Sequence, residues 1–409
     1  MQAPVSRLDH LTFKGNLRES RYGWLRLTPA YSVHAVSALL EENWRPGTAV
    51  LDPFCGTGTT ALVCAERGIE CDTTDINPFL LWLATAKTRS YSRASVEAFR
   101  GAAERVARAI AVRNGEPGWV PALHQIEKWW SPATLGALGR AMAAIRRSES
   151  IKPPSANLLR VAFCRTMIAH AHVSFGHQSM SFKKAERRAN RREEVLSSWR
   201  QSVSAIADAA ATPIQKRPRA ILCDARELGR ELEPKRYGCV ITSPPYPNRM
   251  SYIRELRPYM YWLGHLSDGR QAGELDWQAI GGTWGCATSN VAKWTPTKPV
   301  KVPFAGFRKI VDRITAKSPV LGRYVEKYFY DMLHHTESLV AVVAPGGSVH
   351  YIVGNSKFYD VLLPVEAIYA AMFEQAGFER VEVKTLRKRT SKKELYEFVV
   401  SAKKPGRDR

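Results

Sequence analysis

Residues 48–65 set an apolar run, Thr48-Ala49-Val50-Leu51, directly before Asp52-Pro53-Phe54-Cys55-Gly56-Thr57-Gly58-Thr59-Thr60, and a second apolar run, Ala61-Leu62-Val63-Cys64-Ala65, directly after it. That order reads as strand, glycine-rich turn and helix. Gly56 and Gly58 can adopt positive φ and let the main chain approach a bound molecule closely, while the following helix points its unpaired N–H groups toward that molecule. A further apolar segment ends in Thr73-Thr74-Asp75-Ile76-Asn77-Pro78, which sets Asp75 at the tip of the next strand. A carboxylate there accepts two ribose hydroxyls, so a nucleoside pocket on an α/β sheet is expected.

Two familiar phosphate signatures are missing from this turn. It spells neither the Gly-x-Gly-x-x-Gly of a dinucleotide site nor the Gly-x-x-x-x-Gly-Lys-Ser/Thr of a nucleoside triphosphate site. Asp52, directly before the glycines, brings a negative charge that repels phosphate and suits an amino or sulfonium group. The expected cofactor is S-adenosylmethionine.

A second string, Thr242-Ser243-Pro244-Pro245-Tyr246, follows the apolar strand Gly238-Cys239-Val240-Ile241. An isolated Pro-Pro-Tyr is most often a loop or a polyproline ligand. At the end of a strand, downstream of a glycine-rich strand-turn-helix, it reads as a catalytic motif.

The two strings resemble the amino-methyltransferases that modify exocyclic nitrogens of DNA bases, in particular the cytosine-N4 members. Asp52 to Thr60 is similar to that family's glycine-rich cofactor motif, and Ser243-Pro244-Pro245-Tyr246 to its catalytic Ser/Thr-Pro-Pro-Tyr. Arg26-Leu27-Thr28-Pro29-Ala30-Tyr31-Ser32 resembles the segment that supports the methionine end of the cofactor, which implies that Thr28 and Pro29 contact it. Cys223-Asp224-Ala225 resembles the segment whose acidic residue binds the adenine amino group. The resemblance covers roughly residues 22–90 and 219–402. It implies a class I S-adenosylmethionine-dependent methyltransferase fold: a Rossmann-like, doubly wound sheet closed by a C-terminal antiparallel hairpin, here with a helical insertion. The cofactor set so implied is Thr28, Pro29, Asp52, Pro53, Phe54, Gly56, Gly58, Thr59, Thr60, Asp75, Ile76, Asp224 and Ala225. Asp75 alone also suits an ordinary strand-end cap, and Asp224 has Arg226 as a structural ion-pair partner.

The chemistry explains the composition of the catalytic string. An exocyclic amine on cytosine is a poor nucleophile because its lone pair is delocalised into the ring. Acceptors must draw out the amino hydrogens, and the Ser243 side chain and the Pro244 carbonyl, held rigidly ahead of Pro245, are the candidates. Tyr246 offers an aromatic face for an extruded base. Methyl transfer is then a direct in-line displacement, accelerated by positioning and electrostatic preorganisation. Methylation at carbon 5 would need a nucleophilic cysteine in a Pro-Cys pair, which is absent. The seven cysteines show no C-x-x-C spacing and read as small buried residues in a reducing cytoplasm.

With 60 Lys and Arg against 38 Asp and Glu, the net charge of +22 calls for a polyanionic partner. The chain is long enough for one large domain plus an accessory region. Residues 1–90 read as a lead-in, with a helix from about Tyr31 to Asn43, and the cofactor half of the sheet. Residues 91–218 read as a helical insertion broken at Pro153-Pro154, 219–266 as the catalytic half, 267–322 as an irregular insertion for target recognition or a lid, and 323–409 as the rest of the sheet. In the helical insertion, Lys183, Lys184, Arg187, Arg188, Arg191 and Arg192 fall on one helical face. With Arg249 and Arg254 they are the expected DNA contacts, supported by the base-reading and stacking side chains of His170 to Gln178; a solvated surface helix is the plainer alternative. His170, His172 and His177 lack a carboxylate or cysteine to complete a metal site, and none is expected.

The cofactor string precedes the catalytic one, opposite to many cytosine-N4 members, with the main insertion between them. Double-stranded DNA is the expected partner, with a cognate restriction endonuclease as a further one. No secretory signal or membrane-length apolar run is present, so a soluble cytoplasmic protein is expected. The alternatives are an adenine-N6 or transfer-RNA guanine-N2 methyltransferase, or a non-catalytic nucleic-acid-binding module.

Overall fold

The structure, a computed structural model, describes residues 13–16, 20–27, 30–112, 118–148, 153–174, 181–182, 191–283, 285–297, 301–389 and 394–406. Seven strands form the main sheet: β1 (Ala49–Asp52), β2 (Cys71–Asp75), β3 (Arg219–Leu222), β4 (Tyr237–Thr242), β5 (Val343–Gly354), β6 (Glu379–Lys388) and β7 (Tyr396–Lys403). Their spatial order is β3-β2-β1-β4-β5-β7-β6. The first five are parallel, and β7 runs antiparallel to both β5 and β6. Strand β1 is buried throughout and β4 nearly so, as parallel strands covered on both faces must be. Strand order reverses between β1 and β4, and the crevice beyond the carboxyl ends of those two strands is where an open α/β sheet binds its ligand.

Local chemistry starts the helices around that crevice. Ser32 caps α1 (Val33–Asn43) by accepting from the Ala35 N–H. Gly58, in the left-handed region at φ 75°, begins α2 (Thr59–Glu66). Asn77 caps α3 (Pro78–Lys87), whose first residue is a proline that has no N–H to leave unpaired.

Between β2 and β3 lie α4 (Arg93–Ala111), α5 (Pro132–Arg147), α6 (Pro153–Ala169) and α7 (Arg191–Ala210). Phe99, Ala103, Val106 and Ile110 recur at helical spacing along α4 and bury one face. They join a core with Leu138, Phe163 and Trp199 from the other three helices and with Trp262 of α8 (Tyr252–Trp262), the helix that follows the catalytic string. The break expected at Pro153-Pro154 is found: α5 ends at Arg147 and α6 opens at Pro153, because a helix tolerates proline in its first turn. Ile126–Lys128 forms one 3-10 turn.

The segment 267–322, expected to be irregular, holds α9 (Gly269–Gln278), α10 (Cys286–Lys293) and α11 (Phe307–Thr315). With 10, 8 and 9 residues, each is too short for a periodic stripe to stand out between glycines and prolines. The long α12 (Pro319–Val342) and α13 (Val365–Gln375) complete the layer beside β5. No helix among the described residues is long and apolar enough to cross a membrane.

Candidate active site

The glycine turn is held from both sides. The Cys55 N–H bonds to the Thr74 carbonyl at 2.8 Å and the Gly58 N–H to the Cys55 carbonyl at 2.8 Å. Gly56 and Gly58 have φ of 51° and 75°. A Cβ on Gly58 would stand 2.8 Å from that of Ala84 in α3, so the position is closed to side chains for steric as well as conformational reasons. Lys87, fully buried at the end of α3, donates from Nζ to the Thr57 carbonyl at 3.0 Å, and burial pulls its amine down to about 8. Sequence reasoning missed Lys87; a lysine in the otherwise apolar Pro78–Lys87 run was the available signal.

Asp75 sits at the tip of β2, half-buried beside the turn. Its Oδ2 accepts from the Gly56 N–H at 3.2 Å and its Oδ1 from the Asn77 N–H at 2.9 Å. Burial pushes its carboxyl up to about 6. Ile76 follows, also half-buried. Main-chain donors at a side-chain-free turn beside a carboxylate at a strand tip suit a nucleoside carrying no phosphate.

Asp52 behaves differently from expectation. It is 0% exposed, so its carboxylate meets protein rather than ligand. Its Oδ1 accepts from Thr242 Oγ1 at 2.6 Å and the Phe54 N–H at 3.2 Å, and its Oδ2 lies 2.9 Å from the Tyr31 hydroxyl. That hydroxyl is 2.5 Å from Thr60 Oγ1, which reaches the Ile241 carbonyl at 3.3 Å. Burial pushes the Asp52 carboxyl up to about 7. Thr59 and Thr60 are buried in the first turn of α2, Pro53 is buried, and Phe54 is half-buried. Thr28 and Pro29 lie outside the described residues.

On the far side of the turn, Asp224 is engaged by Arg226. Its Oδ1 accepts from the Arg226 N–H and Nε, both at 2.9 Å, and its Oδ2 from Nη2 at 2.6 Å. Burial opposes ionisation of Asp224, but these bonds outweigh it and hold the carboxyl below the usual range. Arg226 also reaches Asp331 at 3.0 Å, so the ion-pair alternative for Asp224 is the geometry found. The Ala225 carbonyl accepts from His335 Nδ1 at 2.7 Å. A carbonyl only accepts, so Nδ1 carries the hydrogen, and Nε2 takes the Tyr351 hydroxyl at 2.6 Å. Burial lowers His335 to about 4, keeping it neutral, and its ring meets Phe54 edge-on at 4.8 Å. His335 thus ties the segments after β1 and β3 to strand β5. Its only sequence signal was a histidine on the apolar face of α12, which also carries Tyr328, Met332 and Leu339.

The catalytic string begins where β4 ends, next to the glycine turn across the β1/β4 crevice. Ser243 Oγ donates to the Ile352 carbonyl of β5 at 2.9 Å. The Tyr328 hydroxyl donates to the Pro245 carbonyl at 2.7 Å. Pro244 is buried, and Tyr246 packs over Gly354, where a Cβ would stand 2.8 Å from the tyrosine ring. The Arg389 guanidinium lies 5.9 Å from the centre of that ring.

The expected DNA contacts are spread more widely. Arg249 is exposed with φ 63°, its N–H on the Tyr324 hydroxyl at 3.3 Å. Arg254 is half-buried in the first turn of α8, where Ser251 caps its N–H at 3.0 Å. Both follow the Ser243–Tyr246 string closely in the chain. Arg192 lies 3.5 Å from Glu193 on α7, and Arg191 opens that helix. Lys183, Lys184, Arg187 and Arg188 lie outside the described residues, as does His177. His170 bonds Ser198 at 2.8 Å.

A sheet of this order, with a glycine turn after β1 and an acidic tip on β2, defines a class I methyltransferase fold. No protein-family model matches the chain. Among curated proteins, the Type II methyltransferase M.AvaI of Nostoc sp. is 21% identical over 406 residues, covering 90% of this chain and 81% of that protein. Type II methyltransferase M.BsoBI of Geobacillus stearothermophilus is 20% identical over 426 residues, covering 93% and 82%. Type II methyltransferase M.MjaII of Methanocaldococcus jannaschii shares 38% over 56 residues, 14% of this chain and 11% of that one. Among solved structures, the rRNA methyltransferase aviRa from Streptomyces viridochromogenes superposes at a TM-score of 0.30 and 11% identity, covering 93% and 87% of the two chains. The chain is a homologue of Type II methyltransferases, and S-adenosylmethionine is its cofactor.

Proposed function

We propose that this enzyme methylates the exocyclic N4 of a cytosine turned out of duplex DNA, as the modification partner of a restriction endonuclease. The reading is carried by the Ser243 hydroxyl. Its hydrogen lies toward the Ile352 carbonyl, so Oγ keeps acceptor capacity for the amine beside its hydrogen bond with the Tyr246 side chain. A cytosine amine needs such acceptors before its lone pair can leave the ring. With the Pro245 carbonyl taken by Tyr328, the Pro244 carbonyl is the main-chain acceptor proposed beside it. Tyr246 stacks on the extruded base.

Gly56, Gly58, Thr59, Asp75 and Ile76 would hold the nucleoside and methionine parts of the cofactor, with Phe54 and Ala225 against the adenine. When bound, it supplies an electrophilic methyl group on a sulfonium. The chemistry so supplied would be in-line transfer of that methyl to the cytosine nitrogen, with the sulfonium leaving as a neutral thioether and one amino hydrogen passing to solvent as a proton. Arg249, Arg254 and the basic stretch 183–192 bind phosphates, which the net charge of +22 favours. The Type II names of the relatives support the restriction-linked role.

Labelled S-adenosylmethionine offered with genomic DNA or bulk transfer RNA, followed by mass spectrometry of the nucleosides, tests the reading. N4-methylcytosine in DNA is the expected product. N6-methyladenine or a methylated RNA base would overturn the substrate assignment.

A further inference from the structure

The buried contacts around Asp52 carry one more inference, which rests on methyl transfer at Ser243 as proposed above. Four contacts matter. The Tyr31 hydroxyl lies 2.9 Å from Asp52 Oδ2 and 2.5 Å from Thr60 Oγ1. Thr60 Oγ1 lies 3.3 Å from the Ile241 carbonyl, and Thr242 Oγ1 lies 2.6 Å from Asp52 Oδ1. Each contact needs one hydrogen, and a main-chain carbonyl supplies none. Tyr31, Thr60 and Thr242 together bring three. Thr242 spends its hydrogen on Asp52, and Thr60 and Tyr31 can fill only two of the remaining three contacts, whichever of them donates to the other.

An ionised Asp52 therefore leaves two oxygens facing each other without a hydrogen, in an interior closed to water. A proton on Oδ2 completes the set. Asp52 then donates to Tyr31, Tyr31 to Thr60, and Thr60 to Ile241, in one direction from β1 through the segment before α1 and through α2 to β4. We propose that Asp52 acts as a neutral carboxylic acid whose proton closes this chain, making it a positioning residue that locks the cofactor turn to the strand delivering Ser243.

The surroundings agree. Burial pushes the Asp52 carboxyl up to about 7, and among the described residues no Lys or Arg forms an ion pair with it. Tyr31 faces it from the segment before α1, Cys55 from the turn, Cys71 and Asp75 from β2, and Tyr351 from β5, while α2 and β4 present only Thr60 and Thr242. The tyrosines and cysteines are neutral near pH 7, and Asp75 brings a negative charge that further opposes ionisation.

Asp52→Asn keeps a carbonyl for Thr242 and offers an N–H to Tyr31 without a proton to lose; Asp52→Ala removes both. The full-length proteins are compared from about pH 5.5 to about pH 9. Cofactor affinity is measured by calorimetry without polynucleotide, methylation in single turnovers on whichever polynucleotide the wild type modifies, and stability in urea. The wild-type rate is expected to fall about fivefold as pH rises through about 7, the worth of one hydrogen bond. Asp52→Asn is expected to keep the low-pH rate within about twofold and to lack the fall, while Asp52→Ala loses about tenfold or more at every pH.

Stability reads the same proton without any substrate. A carboxyl raised in the folded state stabilises below its unfolded value, and that stability is lost as pH rises through about 7, in the wild type but not in Asp52→Asn. The proposal is overturned if Asp52→Asn shows the wild-type pH dependence, if it is as impaired as Asp52→Ala, or if the variants weaken cofactor binding at unchanged rate. A wild type that leaves DNA unmethylated overturns the substrate reading alone, and the stability comparison still decides the role of Asp52.

Discussion

At the N-terminal edge of the sheet, the buried carboxylate of Asp72 on β2 receives Arg219 through Nε at 2.8 Å and Nη2 at 2.5 Å, the Tyr237 hydroxyl at 2.5 Å, and Arg236 at 3.6 Å. Three residues along the same strand, at the carboxyl edge, Asp75 receives only main-chain N–H groups, and neighbouring Asp52 only hydroxyls and one N–H. The consequences are opposite. Burial resists the charge on Asp72, but its partners prevail and hold it below the usual carboxylate range. Burial prevails at Asp75 and Asp52, lifting them to about 6 and about 7. Where no ligand binds, the fold supplies its own cations and gains stability. At the carboxyl edge, Asp75 and Asp52 are left short of positive charge, the pattern by which binding sites come to hold perturbed groups.

Three variants probe that division. Ser243→Ala should have the largest effect, lowering turnover by about 10²–10³-fold, the scale of one lost acceptor or donor in a preorganised site. Cofactor affinity by calorimetry should stay within about twofold. Equal turnover would remove Ser243 from the chemistry.

Asp72→Ala should come next, costing about 2 kcal/mol in urea unfolding because it leaves the buried Tyr237 hydroxyl without its acceptor and Arg219 without its carboxylate, with turnover per folded molecule unchanged. The sign of its pH dependence follows from the lowered folded value. Asp72 contributes stability above its unfolded pKa of about 3.9, and loses it as pH falls further. A turnover loss matching that of Ser243→Ala would end the distinction between the edges.

Asp75→Ala should weaken S-adenosylmethionine binding about ten- to thirtyfold, as expected for two lost hydrogen bonds to a ribose, and alter stability less than Asp72→Ala. Its pH signature runs the other way. Stability carried by the raised Asp75 carboxyl is present below about pH 4 and lost as pH rises through about 6, a slope that Asp75→Asn should flatten. A slope that survives in Asp75→Asn would assign the titration elsewhere.

Much of the site was readable along the chain because its parts are local. Gly56 and Gly58 are dictated by turn geometry, Ser243-Pro244-Pro245-Tyr246 by its own stiffness, and the terminal hairpin by its apolar runs after Gly377. The short helices of 267–322 were not readable, since 8 to 10 residues hold too few turns for a pattern to emerge. Pro153-Pro154 was readable as the break between α5 and α6, because proline interrupts a helix in its interior and starts one at its first turn. Asp224 and Arg226 stand two residues apart, so their pairing was visible as an alternative, but which partner wins depends on Asp331 from α12.

The sequence by itself determined the turn, the class of cofactor and the stiff proline string at the end of β4, because each depends on residues within a few positions of one another. Only the tertiary structure decided what Asp52 does. Its partners Tyr31 and Thr242 lie 21 and 190 residues away, and its burial depends on strands from both halves of the sheet closing around it. A carboxylate that local reading assigns to a ligand was turned inward, because desolvation and hydrogen-bond partners are set by whatever the whole fold packs beside a group.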